Sequence, residues 1–191
     1  MYKRQVFGEV FNEGQSFHTD GSQFDHLFKP GESYRVGNIE ARALPTPGHT
    51  PACMTHLIGD AMFVGDTLFM PDYGTARCDF PGGDAGTLYD SIQMLFDYPD
   101  DTRMFLCHDY KAPGRNAFVW ETTIGEQKRS NIHVKDGTSR EAFIKMRSER
   151  DATLAMPKLI LPSVQINMRA GEMPPPEDNG IRYMKIPINA L

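Results

Sequence analysis

The sequence predicts an α/β (α+β) chain, a mixed sheet layered with helices. Three observations predict it. Short apolar runs end on Gly-Asp or His-Asp, as buried strands do where they meet a turn. Between Asp84 and Phe96 the apolar spacing switches to helical period. The resulting order is strand, hairpin, helix, strand, helix. It crosses no break in composition, so residues 1–191 read as a single domain.

The first strand is read in "VGNIEARALPTPG". Ile39, Ala41 and Ala43 alternate with Glu40, Arg42 and Leu44, which gives one exposed face, and Pro45 and Pro47 stop it. "MTHLIGDAMFVGD" is two apolar runs around Gly59-Asp60, a dipeptide suited to a two-residue hairpin turn. The second run, Ala61 to Val64, is uniformly apolar, so both its faces are expected to be covered. A helix follows. Asp84 can accept from its first amides, and Leu88, Ile92 and Leu95/Phe96 share one face. Met104 to Cys107 form another buried run, ending at His108-Asp109. A second helix opens at Thr138 or Ser139, with Glu141 able to close a capping box on Thr138, and Pro157 stops it. Residues 157–191 are Pro-rich and read as an extension that wraps the surface, with one short strand in "LILPSVQINMRAG".

The chain is 40% hydrophobic and 24% charged, with net charge −5. An acidic balance disfavours nucleic acid, whose phosphates want a basic surface. The apolar run after residue 61 is broken by Gly65-Asp66, too soon to span a bilayer. "MYKRQVFGEVF" lacks the apolar core of a secretory signal, which leaves the cytoplasm as the default address. Cys53, Cys78 and Cys107 are odd in number and lack CxxC spacing, which disfavours a disulfide framework or structural zinc. They read as buried or half-buried thiols. Cys107, beside His108, has the alternative of a reactive site.

His49, Asp66 and His108 share one feature: each lies just past an apolar strand-like run. In layered folds such ends converge on one rim, where ligands bind. Imidazole, carboxylate and imidazole suit zinc, iron or manganese. His18, His26, His56 and His133 are isolated and read as solvated or structural.

"TPGHTPACMTHLI", "FVGDTLF" and "CHDY", in this order, resemble the metallo-β-lactamase-fold superfamily. The resemblance implies an αββα sandwich in which His49, Asp66 and His108 are metal ligands and Asp66 is also the catalytic carboxylate. "GTARCDFPGGDAGTLYDSI" is similar to the same segment of persulfide dioxygenases and bacterial β-lactamase-hydrolase-like proteins, which implies that Arg77 and Phe80 bind substrate beside Asp79. "CHDY" stands where the family has Ala-His-Asp-Tyr. The cofactor implied is Fe(II) or Zn(II). The partner implied is a small thiol, persulfide or ester-type molecule, with a homo-oligomer possible.

The family's His-x-His-x-Asp-His signature does not occur upstream of His49. By this resemblance the chain carries mostly the C-terminal half of the sandwich and is incomplete at its N-terminus, with a sheet face and edge left open. Three readings follow. The first is persulfide oxidation at a single iron, toward which Arg77, Asp79 and Phe80 point. The second is hydrolysis of an ester, thioester or amide at two zinc ions, with Asp66 bridging. The third is an inactive fragment or interaction module.

Overall fold

The computed structural model describes residues 22–80 and 82–186. His18 and the basic start of the chain lie outside them. Among the described residues six strands form one sheet in the order β1-β2-β3-β4-β5-β6. They are β1 (Ser33–Val36), β2 (Ile39–Pro45), β3 (Met54–Ile58), β4 (Ala61–Phe63), β5 (Arg103–Phe105) and β6 (Glu121–Thr123). Four helices among the described residues accompany them: α1 (Ala85–Phe96), α2 (Ile124–Ser130), α3 (Arg140–Asp151) and α4 (Ile160–Asn167).

Neighbouring strands are antiparallel except β4 and β5, which run parallel with Phe63 opposite Phe105. A parallel pair needs a long crossover, and the chain makes it through α1. Two reversals separate β2 from β4, so β2, β4 and β5 all end at the same rim. The convergence expected from strand-end residues is therefore built into the topology.

One sheet face is covered by helix. Leu44, Met62 and Met104 join Leu88, Ile92 and Leu95 of α1 in the main core. Each of the last three is fully buried, and burying such a side chain stabilises by roughly 1.5–3 kcal/mol. Asp84 caps α1, its carboxylate accepting from the Thr87 amide at 2.6 Å. Helix α3 starts at Ser139, whose hydroxyl accepts from the Ala142 amide, and it buries Phe143 beside Tyr89 of α1.

The opposite face is more open. Phe63 and Phe105 stack there at 5.2 Å, and Phe63 remains 44% exposed. This corrects the expectation that β4 is covered on both sides. Leu44 is a second correction: it is buried in the helix-facing core rather than on an exposed face. The third lies at "LILPSVQIN", which forms α4 rather than a strand. Pro162 stands at its third position, in the first turn, where a backbone N–H has no partner within the helix.

Candidate metal centre and its cavity

The rim side chains are set by register. Asp66 lies three residues past the end of β4 and His108 three past the end of β5. Because these strands are parallel and in step, the two arrive together. His108 Nε2 is 3.2 Å from Asp66 Oδ1. Gly65, at φ 56°, turns the chain between Val64 and Asp66 in a conformation that favours glycine.

His49 enters from the loop after β2. That loop lies directly on α1. The Ser91 hydroxyl donates to Pro47 O at 2.6 Å, and the Asp84 amide donates to Gly48 O at 2.9 Å. A Cβ on Gly48 would fall 2.3 Å from Leu88 Cα, so only glycine permits this approach. His49 Nε2 stands 4.0 Å from Asp66 Oδ2. The carboxylate thus turns one oxygen to each histidine.

The His49 tautomer follows from its other nitrogen. Nδ1 is 2.6 Å from the Arg77 carbonyl, which only accepts, so Nδ1 carries a proton, and in the neutral ring Nε2, on the carboxylate side, is the nitrogen left to ligate. The neutral ring nitrogen and the carboxylate oxygen, 4.0 Å apart, suit a cation between them. Metal–nitrogen and metal–oxygen distances of roughly 2.0–2.2 Å reach across such a gap.

The segment holding the Arg77 carbonyl is itself pinned. Asp151, buried on α3, accepts from the Cys78 amide at 2.7 Å and pairs with Arg147, while Arg147 donates to Thr75 O. This buried pair was not anticipated from sequence. Its signal was an Arg and an Asp four apart on one helix.

Arg77 and Phe80 also reach the site. The Arg77 guanidinium holds Asp79 through two bonds and donates to Ala155 O at 2.9 Å. It lies 5.2 Å over the Phe80 ring, and Phe80 meets the His49 ring edge-on at 5.0 Å. Asp79 holds its proton less readily than an ordinary carboxyl, first because of its bonds to Arg77.

Behind His108, Asp109 is nearly buried. It accepts two bonds from Arg115 and one from the Val119 amide. Those bonds, the Arg115 pair first, hold its carboxyl well below the usual range. Arg115 also grips Asp72 at 2.7 Å, tying the loop after β5 to the one carrying Phe69 and Tyr73.

His49, Asp66, Arg77, Phe80 and His108 all line one cavity of about 610 Å³. Its far wall was not foreseen: Tyr73 stacks on Tyr110 at 4.8 Å, Arg150 comes from α3, and Ile160, Val164 and Met168 come from α4 and its end. The segment 157–191, expected to wrap the surface, thus contributes cavity wall. Other histidines lie elsewhere. His56 bonds Tyr34, and His26 bonds Glu32. His133 accepts from the Thr75 amide at 2.9 Å, and burial leads in lowering its pKa from 6.5 to about 4. Cys53 and Cys78 are buried, and burial pushes the Cys78 thiol up to about 12. Cys107 is exposed, against the expectation for all three.

Comparison with known proteins gives the same lineage. The profile of the Metallo-beta-lactamase superfamily matches residues 14–108. A probable metallo-hydrolase of Burkholderia pseudomallei is 52% identical over 98% of this chain and 67% of its own length. A beta-lactamase hydrolase-like protein of Agrobacterium fabrum is 54% identical over 98% of this chain and 43% of its own. The human mitochondrial persulfide dioxygenase ETHE1 is 33% identical over 81% of this chain and 58% of its own. The crystal structure of ETHE1 from Myxococcus xanthus superposes with a TM-score of 0.66, at 40% identity, over 76% of this chain and 60% of that one. The chain therefore spans 43% to 67% of the length of these relatives. Identity of 52% to 54% over 98% of the chain, on a matching fold, means that this chain belongs to the metallo-beta-lactamase superfamily.

Proposed function

We propose that this chain carries the substrate end and part of the metal centre of a persulfide-dioxygenase-like enzyme acting on a small thiol-derived molecule such as glutathione persulfide. The observation that carries this reading is the His49–Asp66 pair. His49 Nδ1 is committed to the Arg77 carbonyl, which leaves Nε2 as the nitrogen on the side of Asp66 Oδ2, at 4.0 Å. His49 and Asp66 would hold iron through these atoms. Bound iron would supply redox chemistry with O₂ at open coordination positions.

The chain's own groups do the rest. Asp79 and the Ala155 carbonyl fix Arg77 over Phe80, and Phe80 in turn braces the His49 ring. Arg77 in this reading orders the substrate wall and presents positive charge to an anionic ligand. Arg150 lines the same cavity from α3 and adds a second cation. Tyr73, Tyr110 and α4 supply an apolar side against which a sulfur substrate can pack.

A second reading, hydrolysis at two zinc ions, is favoured by His108. Its Nε2 lies 3.2 Å from Asp66 Oδ1 while Oδ2 faces His49, an arrangement that supports a bridging role for Asp66 were two ions bound. Both readings need further ligands, and the described residues supply no His-x-His-x-Asp-His element.

Oxygen uptake on glutathione persulfide by the iron-loaded chain, set beside thioester hydrolysis by the zinc-loaded chain, separates them. The dioxygenase reading expects uptake that is abolished in Asp66→Ala. Hydrolysis without uptake supports the zinc reading. Neither activity would leave an inactive or interaction role.

A further inference from the structure

We propose that Cys107 is a metal ligand. With Asp66 and His108 it forms a thiolate-bearing position for a soft divalent ion of the zinc class, on the side of Asp66 turned away from His49. The proposal rests on the reading that this rim holds metal. It adds a donor that the paired histidines and carboxylate do not include.

Three observations converge. Cys107 Sγ donates to Asp66 Oδ1 at 3.3 Å, and His108 Nε2 is 3.2 Å from the same oxygen. One donor atom from each of Asp66, Cys107 and His108 lies within 4.8 Å of the others, so one ion can meet all three. The division of the carboxylate keeps this set apart from His49, which faces Oδ2.

Adjacent residues of an extended strand point to opposite faces. Here β5 ends at Phe105 and the chain bends at Cys107, so Cys107 and His108 both reach Oδ1. Both side chains are exposed, so an ion and its waters have access. The other two cysteines are buried, and neither is in this cluster. A thiol coordinates as its thiolate and gives up its proton to solvent on binding. Sulfur beside imidazole and carboxylate favours zinc over harder ions. The thiol-to-carboxylate hydrogen bond holds the sulfur in place before metal arrives.

The test is titration of the whole chain with Co(II) alone, followed by optical absorption. The expected result is a sulfur-to-cobalt charge-transfer band in the near ultraviolet, displaced by Zn(II) and absent from both Cys107→Ser and Cys107→Ala. Zinc affinity, by chelator competition, should fall at least about tenfold in both variants. Circular dichroism checks their folding. Alkylation of the wild-type chain avoids substitution altogether, since saturating Zn(II) should slow iodoacetamide modification of Cys107 by about tenfold or more. Cobalt bound with visible bands and no charge-transfer band would overturn the thiolate ligand while leaving the metal centre standing. A band that persists without Cys107, or unchanged alkylation, would overturn it equally. No cobalt binding at all would remove the metal centre as well.

Discussion

His133 shows how one side chain near the site acts without taking part in it. It is buried, and Thr75 donates to its Nδ1 from both its amide and its hydroxyl side. Desolvation first, then Arg147 and Arg150, lower its pKa from 6.5 to about 4. The folded form thus resists a proton that the unfolded chain accepts. Stability from neutral His133 is complete above about 6.5 and is lost as pH falls toward about 4, a total on the order of 3 kcal/mol. An asparagine side chain in its place would keep an acceptor near the Thr75 amide without titrating. Melting temperature against pH for His133→Asn should therefore show a flatter acid slope than wild type, and equal slopes would refute the assignment.

Asp151 belongs to the same scale. It satisfies Arg147 and the Cys78 amide inside the protein. Removing one partner of a buried pair strands the other, at a cost of about 3–5 kcal/mol. Asp151→Ala should lose about that much in urea unfolding, and Arg147→Met/Asp151→Leu should recover part of it. A loss below about 1 kcal/mol, typical of exposed pairs, would contradict the buried role.

At the scale of elements, the His49 loop depends on α1. Gly48 has φ 140°, and any Cβ there collides with the Leu88 backbone. Gly48→Ala should push the loop off the helix, cost roughly 2 kcal/mol or more and weaken metal binding along with stability. Retained stability with unchanged metal affinity would show that this approach does not position His49.

The elements also show what was legible in the sequence. Strand β2, the Gly59-Asp60 hairpin, the Asp84 cap and the apolar face of α1 were readable because each has a local pattern. Strands β1 and β6 and helix α2 were not. β1 has an exposed or half-exposed side chain at every position, and β6 is three residues long, so no periodicity marks them. Helix α4 was misread because Ile160, Val164 and Ile166 mimic a strand, while the first turn tolerates Pro162. His49, Asp66 and His108, which the structure brings to one rim, were singled out by their strand-end positions together with the resemblance of the segments that carry them. The Arg147–Asp151 and Asp109–Arg115 pairs are local, four and six residues apart, but what they hold (the Cys78 amide, the Thr75 carbonyl and Asp72) lies far along the chain and meets them only on folding.

Across the whole molecule, one sheet supports two different surfaces. The helix-facing side is the core. The other side leaves Phe63 and Trp120 exposed, at 44% and 61%, next to the rim that carries Asp66 and His108. The chain spans 43% to 67% of the curated relatives it matches over nearly its whole length, so activity is a property to be measured on this chain rather than carried over. Among the described residues, no helix is long and apolar enough to cross a membrane.

The most direct measurement is metal content by elemental analysis after equilibrium dialysis of the full chain against Fe(II) or Zn(II), beside Asp66→Ala. Because Asp66 faces both His49 and His108, the wild-type chain should retain metal and Asp66→Ala should lose it. Equal metal in the two, or none in either, would contradict a centre built on Asp66.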